Sequence, residues 1–547
     1  DSLFLSSCSI KLDIFRANKY LLSIIALPLI REIIKIMKLV KSKKYLKKVI
    51  ESNVYDVAIS TPLSHVRFLS KEIENNVLLK REDLQPIFSF KLRGAYNKIS
   101  LLKKKGGIER VVTASAGNHA QGVAFASKKL KLKATIVMPV TTPTIKVRAV
   151  KNLGAKVVLI GDTYDEAFDH AISLSKKPKV AFVHPYDDPD VIAGQGTIGK
   201  EILDECSGNL EAIFVPVGGG GLLAGIGAYV KCLRPEIKIV GVEPEDAAGL
   251  SGAIKANRRV SLKEVGLFVD GVAVKQIGKI TFPIIKEWVD EVVTVSIDEI
   301  CAAVEDIFQE TRTIAEPAGA LSLAGLKKLT KTKGWKGKNL IAINSGANLN
   351  FDRLSHIVER VQLGEKKEAL LSVCIPEAKG SFRRFCKDLG KRMITEFNYR
   401  IDDEEEANIF VACRVNQGPK EKNKFIKDLR KKGYSPKDLS DNEMAKLHVK
   451  HMVGGRAPKS IRSYGEQIFR VEFPERPGAL MDFLNSLGDK WNITLFHYRN
   501  QGSDYGRVLV GFQANAKETA KLTKHISKTG FPFWDESKNS AYMSFLE

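Results

Sequence analysis

Cysteine is sparse: seven in 547 residues (Cys8, Cys206, Cys232, Cys301, Cys374, Cys386, Cys413), widely spaced, with no C-x-x-C pair and none beside a histidine at zinc-ligand spacing. That excludes a disulfide scaffold and a zinc module, and it suits a reduced, cytoplasmic setting. Long hydrophobic runs are missing too. The apolar run at residues 20–30 (YLLSIIALPLI) contains Pro28 and is too short to span a bilayer. No small-residue cleavage site follows it, so neither a membrane span nor a secretory signal is expected. Acidic residues are in deficit, 63 against 86 basic ones, a formal charge of +23. Nucleic acid is nevertheless not an expected partner. The lysines fall in short runs such as 103–105, 176–177 and 431–432, and no basic block alternates with aromatics as a stacking platform would require.

What is present is enough chain for two to four domains. Residues 1–36 match nothing that follows and are expected to be a non-native or mis-called extension, dispensable for activity, with a membrane-surface anchor as the alternative; Met37 opens a Lys-rich amphipathic stretch. From about residue 54 to 350, short β-branched runs alternate with helical patterns, the signature of parallel α/β sheet. Active sites in such sheets collect at the carboxyl ends of the strands.

After about residue 365 an internal repeat appears. VCIPEAKG at 373–380 matches VEFPERPG at 471–478, and ITEFNYR at 394–400 matches ITLFHYR at 493–499. Each copy reads β-α-β-β-α-β, a ferredoxin-like unit without a catalytic constellation. The expected organisation is a catalytic domain at 37–355, a first module at 368–440, a linker at 441–466 and a second module at 467–547.

Four segments carry chemistry. In the first, Lys91 sits among Phe88, Phe90 and Leu92 just before a helical pattern, and a desolvated lysine at a helix start has the lowered pKa that a Schiff-base amine needs. Taken in isolation it could be any surface lysine. The second, Ser115-Ala116-Gly117-Asn118-His119, follows a strand, with Gln121 opening the next helix, and offers a carboxylate cradle or a plain capping turn. The third, Gly218-Gly219-Gly220-Gly221-Leu222, lies between strand and helix, where close approach of backbone to a phosphate would explain the glycines. It also satisfies a dinucleotide pattern, with Ala224 at its third position and Glu243 as the acidic residue, which alone slightly favours a nicotinamide cofactor. In the fourth, Asn344-Ser345-Gly346-Ala347-Asn348, a serine at a strand end can hydrogen-bond a heteroaromatic nitrogen. A polar turn would read the same.

Together and in this order, these segments resemble the biosynthetic threonine dehydratases (threonine ammonia-lyases) of the fold-type II pyridoxal-phosphate (PLP) family, from about residue 45 to the C-terminus. The resemblance implies two open parallel α/β subdomains followed by two tandem ACT-like modules. It implies that Lys91 holds the PLP aldehyde, Asn118 bonds the ring hydroxyl, Gly218 to Leu222 hold the phosphate and Ser345 faces the pyridine nitrogen. Residues 115–119 would bind the substrate carboxylate. The expected reaction is conversion of L-threonine to 2-oxobutanoate and ammonia, the first step of isoleucine biosynthesis, with L-serine a slower substrate.

A neutral serine at the ring nitrogen favours loss of a β-leaving group over racemisation or transamination. Serine racemases of the same fold carry a second serine where this chain has Ala116, so racemisation is not expected. Their cation-binding stretch has Gly249 here in place of a carboxylate, so no metal is expected. Isoleucine would inhibit through sites at Tyr399 and Tyr498, unless these aromatics only pack the modules together, with valine as antagonist and a homotetramer as the assembly. The rival classes are a nicotinamide dehydrogenase and a non-catalytic amino-acid sensor.

Overall fold

Alternating strands and helices build the first half of the chain in the computed structural model. It describes residues 44–546 apart from 207, 365–367, 402–404, 416–417, 443, 446–448, 450–451, 475–477, 489 and 500–504. Residues 1–36, with the apolar run 20–30, lie outside the described residues. The chain divides into two units, between Val361 and Gln362.

In the first unit, β1 (Leu63–His65) and β2 (Asn76–Arg81) lead to α1 (Lys91–Lys105). Then come β3 (Arg110–Ala114), α2 (Asn118–Lys129), β4 (Lys133–Met138), β5 (Lys156–Leu159) and β6 (Val180–Phe182). After α3 (Pro189–Glu205) follow β7 (Ala212–Pro216), α4 (Gly221–Leu233), β8 (Lys238–Pro244), α5 (Gly249–Lys255), β9 (Glu291–Val295), α6 (Pro317–Lys333) and β10 (Asn339–Asn344).

Two sheets result. One has the order β5-β4-β3-β6, all parallel. The other has the order β1-β2-β10-β7-β8-β9, parallel except for the antiparallel edge strand β1. Central strands such as β7 (AIFVP) are apolar at every position because helices cover both faces. The α6 helix is buried along most of its length, and its run of Ala, Gly, Ser and Leu lets it lie deep against β7 and β10. The expected pair of open parallel α/β subdomains is the fold observed.

The second unit repeats one pattern. Its first copy is β11 (Glu368–Pro376), α7 (Ser381–Leu389), β12 (Ile394–Arg400), β13 (Glu406–Arg414), α8 (Pro419–Lys431) and β14 (Lys437–Asp438). Its second is β15 (Glu466–Pro474), α9 (Ala479–Leu487), β16 (Ile493–Arg499), β17 (Tyr505–Gln513), α10 (Thr519–Ser527) and β18 (Phe533–Asp535), followed by α11 (Ser540–Phe545). Gly380 and Gly478 adopt left-handed conformations (φ 86° and 90°) at matching helix starts, a backbone state that disfavours other residues. The copies share one eight-stranded sheet, β14-β11-β13-β12-β16-β17-β15-β18, because β12 pairs antiparallel with β16. In that register Phe397 faces Tyr498 and Tyr399 faces Phe496. All four side chains are buried in a continuous aromatic core with Phe382 and Phe385.

Among the described residues, no helix is long and apolar enough to cross a membrane.

Candidate active site

Three of the four segments hang from the carboxyl ends of parallel strands: residues 115–119 from β3, the glycine run from β7 and Ser345 from β10. The Lys91 segment is stitched onto the Ser345 turn by backbone. Phe90 N–H donates to the Ser345 carbonyl (3.2 Å), Ala347 N–H donates to the Phe88 carbonyl (2.9 Å), and the Ser89 hydroxyl also reaches the Ser345 carbonyl (3.3 Å).

Lys91 is the first residue of α1. Its Nζ donates to the Pro185 carbonyl (3.0 Å) and lies 5.3 Å from the centre of the Phe90 ring. Burial lowers its pKa to about 8, against the opposing pull of the Glu316 carboxylate. Of the three apolar neighbours expected around it, Leu92 is buried and Phe90 flanks the amine, but Phe88 is 57% exposed. Phe88 instead sits in the left-handed region (φ 55°), in the segment where the chain bends to meet residues 346–347.

The second segment enters its helix earlier than expected, at Asn118 rather than Gln121. Gly117 is non-helical (φ −128°, ψ −141°) as the residue before the first turn, and its carbonyl accepts the Gln121 N–H. The shift places the acceptorless N–H groups of the first turn at and just after Asn118, which improves the cradle for an anion. Ser115, Ala116, Gly117 and Asn118 are half-buried, whereas His119 is 2% exposed, its Nε2 paired with the Val183 carbonyl at 3.1 Å. Burial, followed by the nearby Lys91, lowers the His119 pKa to about 3, so the ring is neutral and faces the interior.

The glycine run has a cause that lies elsewhere in the chain. A Cβ on Gly219 would come within 2.2 Å of the Tyr186 ring, and one on Gly221 within 3.0 Å of the Tyr186 carbonyl oxygen. Gly220 has φ 90°, which a side chain would strain. Protein therefore fills the side-chain directions of Gly219 and Gly221, where close approach to a ligand was the expected cause. The loop is held from outside as well. The Thr281 hydroxyl donates to the Gly219 carbonyl (2.7 Å), while the Asp187 carboxylate accepts the N–H groups of Lys279 (2.8 Å), Ile280 (2.7 Å) and Thr281 (3.2 Å).

Residues 183–187 carry no motif that marks them in the sequence, yet they contact His119, Lys91, the glycine run and the Thr281 turn. Glu316 is equally inconspicuous there. It is buried, accepts from Asn118 Nδ2 (2.6 Å), and has its pKa raised to about 7, chiefly by burial and then by Asp270. Asn348 Nδ2 donates to Asn118 Oδ1 (2.7 Å) and to the Ile87 carbonyl (2.8 Å).

The dinucleotide alternative loses its acidic residue. The Glu243 carboxylate is buried and accepts the Leu250 and Ser251 N–H groups (2.7 and 2.8 Å) at the start of α5, so it is committed to that turn. No group of three or more His, Cys, Asp or Glu that could hold a metal ion occurs among the described residues.

The donor set fits PLP. A desolvated amine suits an aldehyde, the N–H groups at the start of the thirteen-residue α4 suit a phosphate, and the buried Ser345 hydroxyl and Asn118 amide suit a ring nitrogen and a phenolic oxygen.

Comparison with known proteins agrees. Residues 54–346 match the family described as pyridoxal-phosphate dependent enzyme, and residues 359–449 and 459–546 match the C-terminal regulatory domain of threonine dehydratase. The chain is 49% identical over 508 residues to the L-threonine dehydratase biosynthetic IlvA of Burkholderia multivorans, covering 92% of this chain and 99% of that one. It is also 49% identical over 503 residues to the Escherichia coli protein of the same description, covering 92% and 97%. The solved structure of the processed form of threonine deaminase isoform 2 from Solanum lycopersicum is 46% identical, with a TM-score of 0.57 over 58% of this chain and 93% of that chain. The chain therefore belongs to the biosynthetic threonine dehydratase family, with a PLP-dependent lyase domain followed by that family's C-terminal regulatory domain in two copies.

Proposed function

We propose that this chain converts L-threonine to 2-oxobutanoate and ammonia as the first step of isoleucine biosynthesis in the cytoplasm, and acts more slowly on L-serine. The observation that carries the reading is the lowered, desolvated Lys91 amine, held beside the Ser345 turn by three hydrogen bonds to that segment. When bound, PLP supplies an electron sink for the Cα–H bond.

The chain's own residues do the rest. Lys91 Nζ would hold the aldehyde of the bound cofactor, and as a free, uncharged amine it is the base placed to take the proton from Cα. The first-turn N–H groups of α2, with Ser115 and Gly117, bind the substrate carboxylate, while His119 supports the turn from inside. The α4 start, from Gly218 to Leu222, binds the phosphate. Ser345, whose hydroxyl here donates to the Ala318 carbonyl (3.1 Å), would offer the ring nitrogen a neutral partner and not a charged one, which would favour departure of the Cβ hydroxyl. Ala116 leaves the opposite face of Cα without a base.

In the same reading isoleucine inhibits through the C-terminal unit near Tyr399 and Tyr498, valine opposes it, and the assembly is a homotetramer. Pairing of β12 with β16 supports one composite effector region, since it sets the two tyrosine-bearing strands side by side. The test is 2-oxobutanoate release from threonine with and without isoleucine. A yellow protein that turns over threonine and is slowed by isoleucine supports the reading. Isoleucine binding without turnover would leave only a sensor.

A further inference from the structure

Asn118 is pinned from both sides. Its Oδ1 accepts from Asn348 Nδ2 (2.7 Å), and its Nδ2 donates to Glu316 Oε1 (2.6 Å). Asn348 is itself fixed, because its Nδ2 also donates to the Ile87 carbonyl (2.8 Å) in the segment that leads to Lys91. A flipped Asn118 amide would set donor against donor at Asn348 and acceptor against carboxylate at Glu316, so only one orientation is compatible with this relay. Glu316 is 4% exposed and stands just before Pro317 at the start of α6, with its N–H donating to the Gly346 carbonyl (3.1 Å). A Cβ on Gly346 would lie 2.6 Å from Glu316 Oε1, so the glycine of the Ser345 turn makes room for this carboxylate. The relay runs from the helix that follows β3 in one sheet to the helix that precedes β10 in the other, across the site.

We infer that Glu316 is a positioning residue for the lyase reaction: with Asn348 it fixes the Asn118 amide so that the second Nδ2 hydrogen is aimed at the ring hydroxyl of PLP. The inference rests on the cofactor reading given above. One Nδ2 hydrogen is committed to Glu316 and the other remains available, the division of donors that a phenolic oxygen acceptor requires. A carboxyl needs no formal charge for this role, because either ionisation state offers Oε1 as acceptor. The raised pKa of Glu316 is therefore compatible with it.

The test is a double-mutant cycle on the full-length protein with Glu316→Ala, Asn118→Ala and the pair, together with Glu316→Gln. Three quantities are read: the visible absorption maximum of bound PLP, the affinity of the apoenzyme for PLP, and kcat and KM for threonine. Glu316→Ala is expected to move the absorption band, weaken PLP binding and lower kcat by about 10- to 100-fold with little change in KM, as a misoriented reacting group does. Glu316→Gln keeps an acceptor and is expected to hold the wild-type band. The paired variant should be no worse than Asn118→Ala alone.

Multiplying effects in the pair would overturn the inference, as would a wild-type band in Glu316→Ala. If Glu316→Ala does not fold, Gly346→Ala displaces the carboxylate instead, and an unshifted band there overturns it equally. Wild-type apoenzyme that fails to take up PLP would sink the cofactor reading itself, and the inference with it. Normal uptake and a shifted band in Asn118→Ala, with multiplying effects in the pair, would sink the role of Glu316 alone.

Discussion

The ring of Tyr186 occupies the space where a side chain on Gly219 would stand, 2.2 Å from the ideal Cβ position. The glycine run is thus shaped by an aromatic residue that follows β6, held in place while Asp187 next to it caps the Thr281 turn.

Gly219→Ala should cost about 1–3 kcal/mol of stability or more from overpacking, and should reduce retention of PLP. Adding Tyr186→Ala opens the same space, so the double variant should lose less than the sum of the two single changes. Thermal denaturation of apo- and holoenzyme measures this. Strict additivity would show that the ring and the glycine do not compete for that volume.

The lowered Lys91 pKa makes cofactor capture depend on pH. Only the uncharged amine attacks an aldehyde, and with a pKa of about 8 that form dominates above pH 8 and declines below it. Uptake of PLP by the apoenzyme should therefore run about tenfold slower at pH 7 than on the alkaline plateau. Stopped-flow absorbance follows it. A rate still climbing towards pH 10 would mean an ordinary, solvated lysine.

A buried ionic cluster underlies α1 two residues beyond Lys91. Arg93 is fully buried, donating to Glu82 (both bonds 2.8 Å) and to Glu201 (2.5 and 3.0 Å), while Lys80 joins Glu201 at 2.9 Å. Arg93→Met leaves buried carboxylates short of a partner and should destabilise the fold by about 3–5 kcal/mol. The midpoint of urea unfolding reports it, and an unchanged midpoint would refute the placement of these charges in the interior.

In the C-terminal unit, the Tyr399 hydroxyl donates to Glu377 (2.7 Å) and its ring lies 4.9 Å from that of Phe382. Tyr399→Ala should raise the isoleucine concentration for half-inhibition by about tenfold, equivalent to about 1.4 kcal/mol of binding. Inhibition curves at fixed threonine decide it, and full sensitivity in the variant would remove Tyr399 from the effector site.

Local features of this molecule are legible in its sequence. The duplicated module and the strand-to-helix placement of three chemical segments follow from contiguous stretches of chain. Contacts between distant residues are not legible. Asn118 and Glu316 are 198 positions apart, and no spacing rule links them. Glu316 reads in the sequence as an acid before a proline at a helix start, a capping position like many others. The four glycines stand out, but approach to a ligand is not what excludes side chains at two of them, because the residue that fills that space arrives from β6. Glu243 illustrates the converse. It completes a dinucleotide pattern in sequence, and only its two hydrogen bonds to the α5 start show that it is already engaged.

The shared sheet of the C-terminal unit has a consequence for how such a unit arises. Its two central strands, β12 and β16, cover each other's inner edges, whereas the outer edges end in the two- and three-residue strands β14 and β18. A single copy would carry a bare central ladder, an edge that recruits another strand. The simplest strand to recruit is the same one from a second molecule, in an antiparallel match about a two-fold axis. Carrying both copies in one chain makes that contact intramolecular, so the ladder closes without a second molecule.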